Sequence, residues 1–144
     1  MHQLIYTFAA SAFLALATVG ASAQGVPTLS ELRGVTDSAM VKVGNGDMEG
    51  GLKEIRPLTI IPTAEFDAML GQLPLQVPGI IARFGASIGQ EFIREEKIGD
   101  SMARLIYINK FEKHATRWMF YCYKGKTGWV INTFKFDDKW IELF

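Results

Sequence analysis

Apolar positions recur with the period of a helix in the first half of the chain and with the period of a strand in the second half. Leu29, Leu32, Val35, Ala39, Met40 and Val43 keep to one helical stripe. Thr28, followed three residues later by Glu31, reads as the capping box that opens it, and Gly44 and Gly46 close it. Asp47 is placed to cap a short second helix with Met48, Leu52 and Ile55 on its buried side, containing the poor helix formers Gly50 and Gly51 and stopped by Pro57. A third helical pattern opens at Thr63 and carries Phe66, Met69, Leu70 and Leu73. Pro74 and Pro78 are expected to kink or break it before Ile80, Ile81 and Phe84 resume it and Gly85 ends it.

From Gln90 onward the period changes to two, and aromatic and β-branched residues crowd in. Four strands are expected: Glu91 to Ile98, Met102 to Phe111, Thr116 to Tyr123, and Trp129 to Phe136. Gly99-Asp100, Lys113-His114 and Gly125 to Gly128 are short, turn-like connections, so neighbouring strands should pair as antiparallel hairpins. Helices followed by a meander define an α+β fold, with the N-terminal helices on one face of the sheet.

A slip of one residue turns every side chain of a strand over, so the registers can be tested by sorting like with like. Pairing Tyr123 with Trp129, and Glu112 with Ala115, puts Leu105, Tyr107, Asn109, Phe111, Trp118, Phe120, Cys122, Val130, Asn132, Phe134 and Phe136 on the face toward the helices. Arg104, Ile106, Ile108, Lys110, Arg117, Met119, Tyr121, Tyr123, Trp129, Ile131, Thr133 and Lys135 then share the outer face. In this register Lys110, Arg117 and Lys135 form a row of cations across three strands. They splay into water, or they seat an acidic group from a partner subunit, a lipid headgroup or a polysaccharide.

Composition changes the picture mainly at the N-terminus. The apolar run Leu4 to Val19 is shorter than the roughly 20 residues a membrane span needs, and it ends in Ala21-Ser22-Ala23. Residues 1–23 are therefore expected to be a signal peptide cleaved after Ala23. Residues 24–144 would then form one domain, periplasmic or secreted, with no transmembrane segment left after processing. The chain has 15 basic and 15 acidic residues, a balance that argues against a nucleic-acid partner. The lone Cys122 can form no internal disulfide.

Arg83-Phe84-Gly85, Lys110-Phe111, Arg117-Trp118, Tyr123-Lys124 and the ending Phe134-Lys135-Phe136-Asp137-Asp138, set on helices followed by a curved sheet, resemble small exported bacterial proteins of the NTF2-like, or cystatin-like, α+β superfamily. The resemblance covers most of residues 24–144. It implies a cone with a pocket between helices and sheet, and homodimers formed through the outer sheet face. It implies no particular activity, since this fold carries isomerases, dehydratases and non-catalytic binders alike.

Inventory of the catalytic residue types leaves no catalytic residue to name and no metal or cofactor site. His114 is the one histidine after residue 23 and reads as a solvated turn residue. Cys122 reads as a small core hydrophobe. No glycine-rich loop precedes a helix. On the predicted inner face Tyr107, Asn109 and Asn132, beside Trp118, are the candidate ligand-binding groups; the alternative is that they are core polar groups bonded to the backbone. None is a carboxylate, although Asp67 on the third helix could project inward. The leading reading is a non-catalytic binding module for a small apolar or amphipathic ligand. A dimerising or docking protein that uses the outer face is second, and a metal-independent isomerase or dehydratase is third.

Overall fold

In the computed structural model, which describes residues 24–144, the capping box forms as its spacing implies. The Thr28 hydroxyl accepts from Glu31 N at 3.1 Å, and the Glu31 carboxylate accepts from Thr28 N at 3.4 Å. Helix α1 spans Leu29–Gly44 and α2 Met48–Ile55, the second capped by Asp47 Oδ1 on Gly50 N at 2.8 Å. A 3-10 turn at Arg56–Leu58, with Pro57 in it, ends α2. The segment read as a signal peptide lies outside the described residues.

Helix α3, Thr63–Phe84, runs through Pro74 and Pro78 without interruption, which corrects the expected break. Each proline lacks an N–H and so frees the carbonyl four residues before it, here those of Leu70 and Pro74. The two prolines lie four residues apart and both are exposed, so the lost bonds stack on one solvent-side stripe where water can take the freed carbonyls. Gly85, at φ 87°, ends the helix in a conformation that other residues avoid.

Strands β1 (Ser87–Ile98), β2 (Met102–Phe111), β3 (Ala115–Gly125) and β4 (Gly128–Asp137) form an open antiparallel meander in sequence order. The fold is therefore α+β, with the helices on one face of a curved sheet. Gly44 sets how closely α1 meets β1. A Cβ there would lie 2.8 Å from Gly89 C and 2.9 Å from Gln90 N, both backbone atoms. Gly44→Ala is expected to push helix and strand apart and to cost about 1 to 3 kcal/mol, read as a lower urea midpoint.

Two registers differ from expectation. Lys110, and not Glu112, faces Ala115, a shift of two that keeps every β2 and β3 side chain on its expected face. The shift has a tertiary cause, because Glu112 N and Lys113 N are bonded to Ala86 O and Phe84 O at the end of α3. Between β3 and β4, Gly125 pairs with Gly128, and a bulge separates Tyr121↔Thr133 from Cys122↔Ile131. That one-residue slip turns the first half of β4 over. Trp129 and Ile131 enter the core beside Leu32 and Trp118, while Val130, still buried, and the exposed Asn132 turn to the outer side. The free edge of that half is closed by Val26, paired with Trp129, and by Thr59, bridged to Ile131.

The residues after β4 return across the outer face. A 3-10 turn at Trp140–Leu143 follows Asp137. Arg117 Nη2 donates to Glu142 at 2.5 Å and Arg94 Nη1 to Leu143 O at 3.0 Å. The outer-face residues Ile106, Met119 and Arg117 are all buried.

Candidate functional site

The centre of the fold, where the resemblance implies a pocket, is filled. Tyr107, Trp118, Phe120 and Phe66 are among its largest fully buried side chains. Trp118 stacks on Phe136 with ring centroids 4.5 Å apart, and its indole N–H donates to Thr116 Oγ1 at 3.2 Å. Tyr107 bonds Thr36 Oγ1 at 2.8 Å and donates to Asp37 Oδ1 at 2.5 Å. Burial first, and the Asp37 carboxylate second, push the Tyr107 phenol well above its ordinary range.

Asp37 is the carboxylate that sequence reasoning missed. It sits one position off the apolar stripe of α1, and only the packing of α1 on β2 shows that it reaches a phenol 70 residues away. Arg33 braces the pair, with Nε 3.7 Å from Asp37 Oδ1 and its guanidinium 3.5 Å from the Phe92 ring centroid. The cluster is closed on itself: the Tyr107 oxygen is engaged by both Thr36 and Asp37, so it has little capacity left for a substrate. Asp67 does not project inward but is exposed and paired with Arg56 Nη2 at 2.6 Å.

Asn109 alone of the four ligand candidates borders a cavity between helices and sheet. The cavity, of about 230 Å³, lies where the end of α1, the second half of α3 and the start of β1 converge, and Val43, Met48, Val77, Ile80 and Phe111 give it an apolar wall. Ser87 Oγ donates to Asn109 Oδ1 at 2.8 Å, yet the same oxygen lies 2.9 Å from Gly44 O. A hydroxyl has one proton and cannot serve both acceptors. Whichever way the amide is turned, one of its ends bonds Ser87 and the other has no side-chain partner among the described residues.

Asn132 is not a neighbour of Asn109. The β4 bulge puts it on the outer side, exposed, where it lines a separate cleft of about 440 Å³ with Glu96, Met102, Arg104, Tyr121 and Tyr123. The row of cations is also not formed. Lys110 faces Ala115, Lys135 faces Met119, and Arg117 lies between Ile108 and Asp137. Arg117 grips Asp137 with two bonds, Nε to Oδ1 at 2.7 Å and Nη2 to Oδ2 at 3.1 Å. Its charge is thus matched within the chain.

His114 is half-buried, not solvated: its ring packs 4.4 Å from Phe84, and Nε2 lies 3.2 Å from Asp138 O. Cys122 is buried, and burial pushes its thiol up to about 12, so it is protonated at neutral pH and inert as a nucleophile. Among the described residues no group of three or more His, Cys, Asp or Glu side chains is placed to hold a metal ion, and no helix is long and apolar enough to cross a membrane.

Fold and site together define a small α+β unit with a filled aromatic centre, a helix-side cavity that Asn109 borders and a cleft on the outer sheet face that Asn132 borders. No protein-family model, no curated protein and no solved structure matches the chain.

Proposed function

We propose that this chain is an exported, non-catalytic binding module of NTF2-like build, and that it holds a small apolar or amphipathic molecule in the cavity beside Asn109. The observation that carries the reading is the half-used amide. Ser87 holds one end of the Asn109 amide, and the other end, at the cavity wall, is left to bond a ligand's polar group while the ligand's apolar part meets Ile80 and Val77. Export is supported by the Ala21-Ser22-Ala23 triplet that follows the apolar run Leu4 to Val19. Val26 N and O both bond Trp129, at 3.0 and 2.7 Å, a pairing that cleavage after Ala23 would leave intact.

Native mass spectrometry of the full-length gene product, recovered from the envelope fraction of its own cells, tests both parts. The expected result is a polypeptide beginning at Gln24 that carries an added small-molecule mass. Asn109→Leu and the cavity-filling Ile80→Trp, each checked for folding by thermal melting, are expected to lose that mass. A retained Met1 would overturn export. A ligand mass unchanged in both variants would place the molecule elsewhere and overturn the cavity reading.

A further inference from the structure

The outer cleft is built unlike the helix-side cavity, and it lies beyond the reading above. Its floor and rim are apolar and open: Ile98 is 70% exposed, Met102 47% and Tyr123 48%. Its volume, about 440 Å³, falls in the range of small-molecule sites. One wall is charged. Glu96 accepts from Arg94 Nε at 2.7 Å and from Arg104 Nε at 2.8 Å, and it also contacts Arg104 Nη2. Two guanidinium groups thus share one carboxylate, which leaves one formal positive charge over. Arg94 is drawn toward the tail by its bond to Leu143 O. Arg104 is the one that borders the cleft, 6.0 Å from the Tyr121 ring centroid.

We propose that this cleft binds a small amphipathic anion, with an aromatic or apolar body against Met102, Tyr121 and Tyr123 and one acidic head against Arg104. Apolar area supplies most of the attraction for the body, and the tyrosine rings add face or edge contacts. Arg104 selects the head: Glu96 holds its Nε and contacts Nη2, and its remaining N–H groups are left to donate to an acidic group. A neutral molecule with the same body fits but forgoes that pairing. The site owes its polarity to the β4 bulge and to the Glu96–Arg104 cross-strand pair, neither of which touches the cavity beside Asn109.

The test is titration of residues 24–144 with anilinonaphthalene sulfonate, and in parallel with the uncharged phenylnaphthylamine, followed by fluorescence and by backbone amide chemical shifts. One saturating site is expected, with shifts confined to Ile98 to Arg104 and Tyr121 to Tyr123. Arg104→Gln should weaken the sulfonate about tenfold and leave the amine within about twofold. Met102→Glu, at an exposed position outside the core, removes an apolar contact from both probes and adds repulsion for the sulfonate alone, so it should weaken the sulfonate several-fold more than the amine, and it keeps the test open if Arg104→Gln melts early. Ile80→Trp, which fills the other cavity, should change neither affinity. Shifts centred on α3, affinities for the sulfonate unchanged in both cleft variants, or sedimentation showing two copies covering the cleft would overturn the proposal.

Discussion

Truncation of Trp118 to Ala is expected to lower folding stability by about 3 to 5 kcal/mol. The indole is 1% exposed, stacked on Phe136 and within 6.4 Å of Phe120, so its removal opens a cavity that three strands and α1 cannot jointly close. The loss also strands the buried Thr116 hydroxyl, to which the indole N–H donates at 3.2 Å, and an unsatisfied buried group adds to the cost. Urea titration at constant slope reads the change directly. A loss under about 1 kcal/mol would mean that the inner face is not packed as described. Asn132→Ala is the matching control for the bulge: an exposed outer residue should change stability by less than about 0.5 kcal/mol.

Asp137→Asn is expected to cost about 2 to 3 kcal/mol. Arg117 is 7% exposed, and a buried guanidinium that loses its carboxylate typically costs about 3 to 5 kcal/mol. The lower figure applies because Glu142 stays within 2.5 Å and Asp137 is itself partly solvated. Glu142→Gln, on an exposed partner, should cost no more than about 1 kcal/mol.

The Asp137 contribution also has a pH signature. The hydrogen bond from Arg117 holds the Asp137 carboxyl below its ordinary range, with burial opposing. A carboxyl whose value is depressed on folding contributes stability that is complete above the unfolded value, near pH 4. That stability is lost as pH falls through the lower folded value. The stability difference between the parent chain and Asp137→Asn should therefore be level near neutrality and shrink at the acid end. A difference that stays constant down to the acid transition would show that the pair does not titrate with folding.

Much of the architecture was legible in residue order because the interactions that set it close over short distances. The Thr28–Glu31 box, the Asp47 cap and the Gly85 stop each act within one helical turn, and the first two open and the third ends a helix where the pattern placed it. The change from period 3.6 to period 2 marked the passage from helices to meander, and with it the α+β class. The inward positions of Tyr107, Asn109, Trp118 and Phe120 also followed, since alternation along β2 and β3 is uninterrupted. The β4 slip had a visible trace: its large apolar residues change parity, from Trp129 and Ile131 to Phe134 and Phe136, and only a bulge puts all four toward the core.

Other features depended on contacts between residues far apart in the chain. The β2–β3 register moved by two because carbonyls at the end of α3 took the turn's N–H groups. Arg117 left the expected cation row because Asp137 and Glu142, the latter 25 residues on, came to meet it. Asp37 reached Tyr107 across the helix–sheet interface. The prolines of α3 proved tolerable because their freed carbonyls face water, which depends on how the helix is seated and not on its residues alone. Alternation could say that Asn109 points inward. That one end of its amide borders a cavity, while Tyr107 and Trp118 are fully engaged, was decided by where three separate elements converge, since a local pattern specifies the direction of a side chain but not what waits there to bond it.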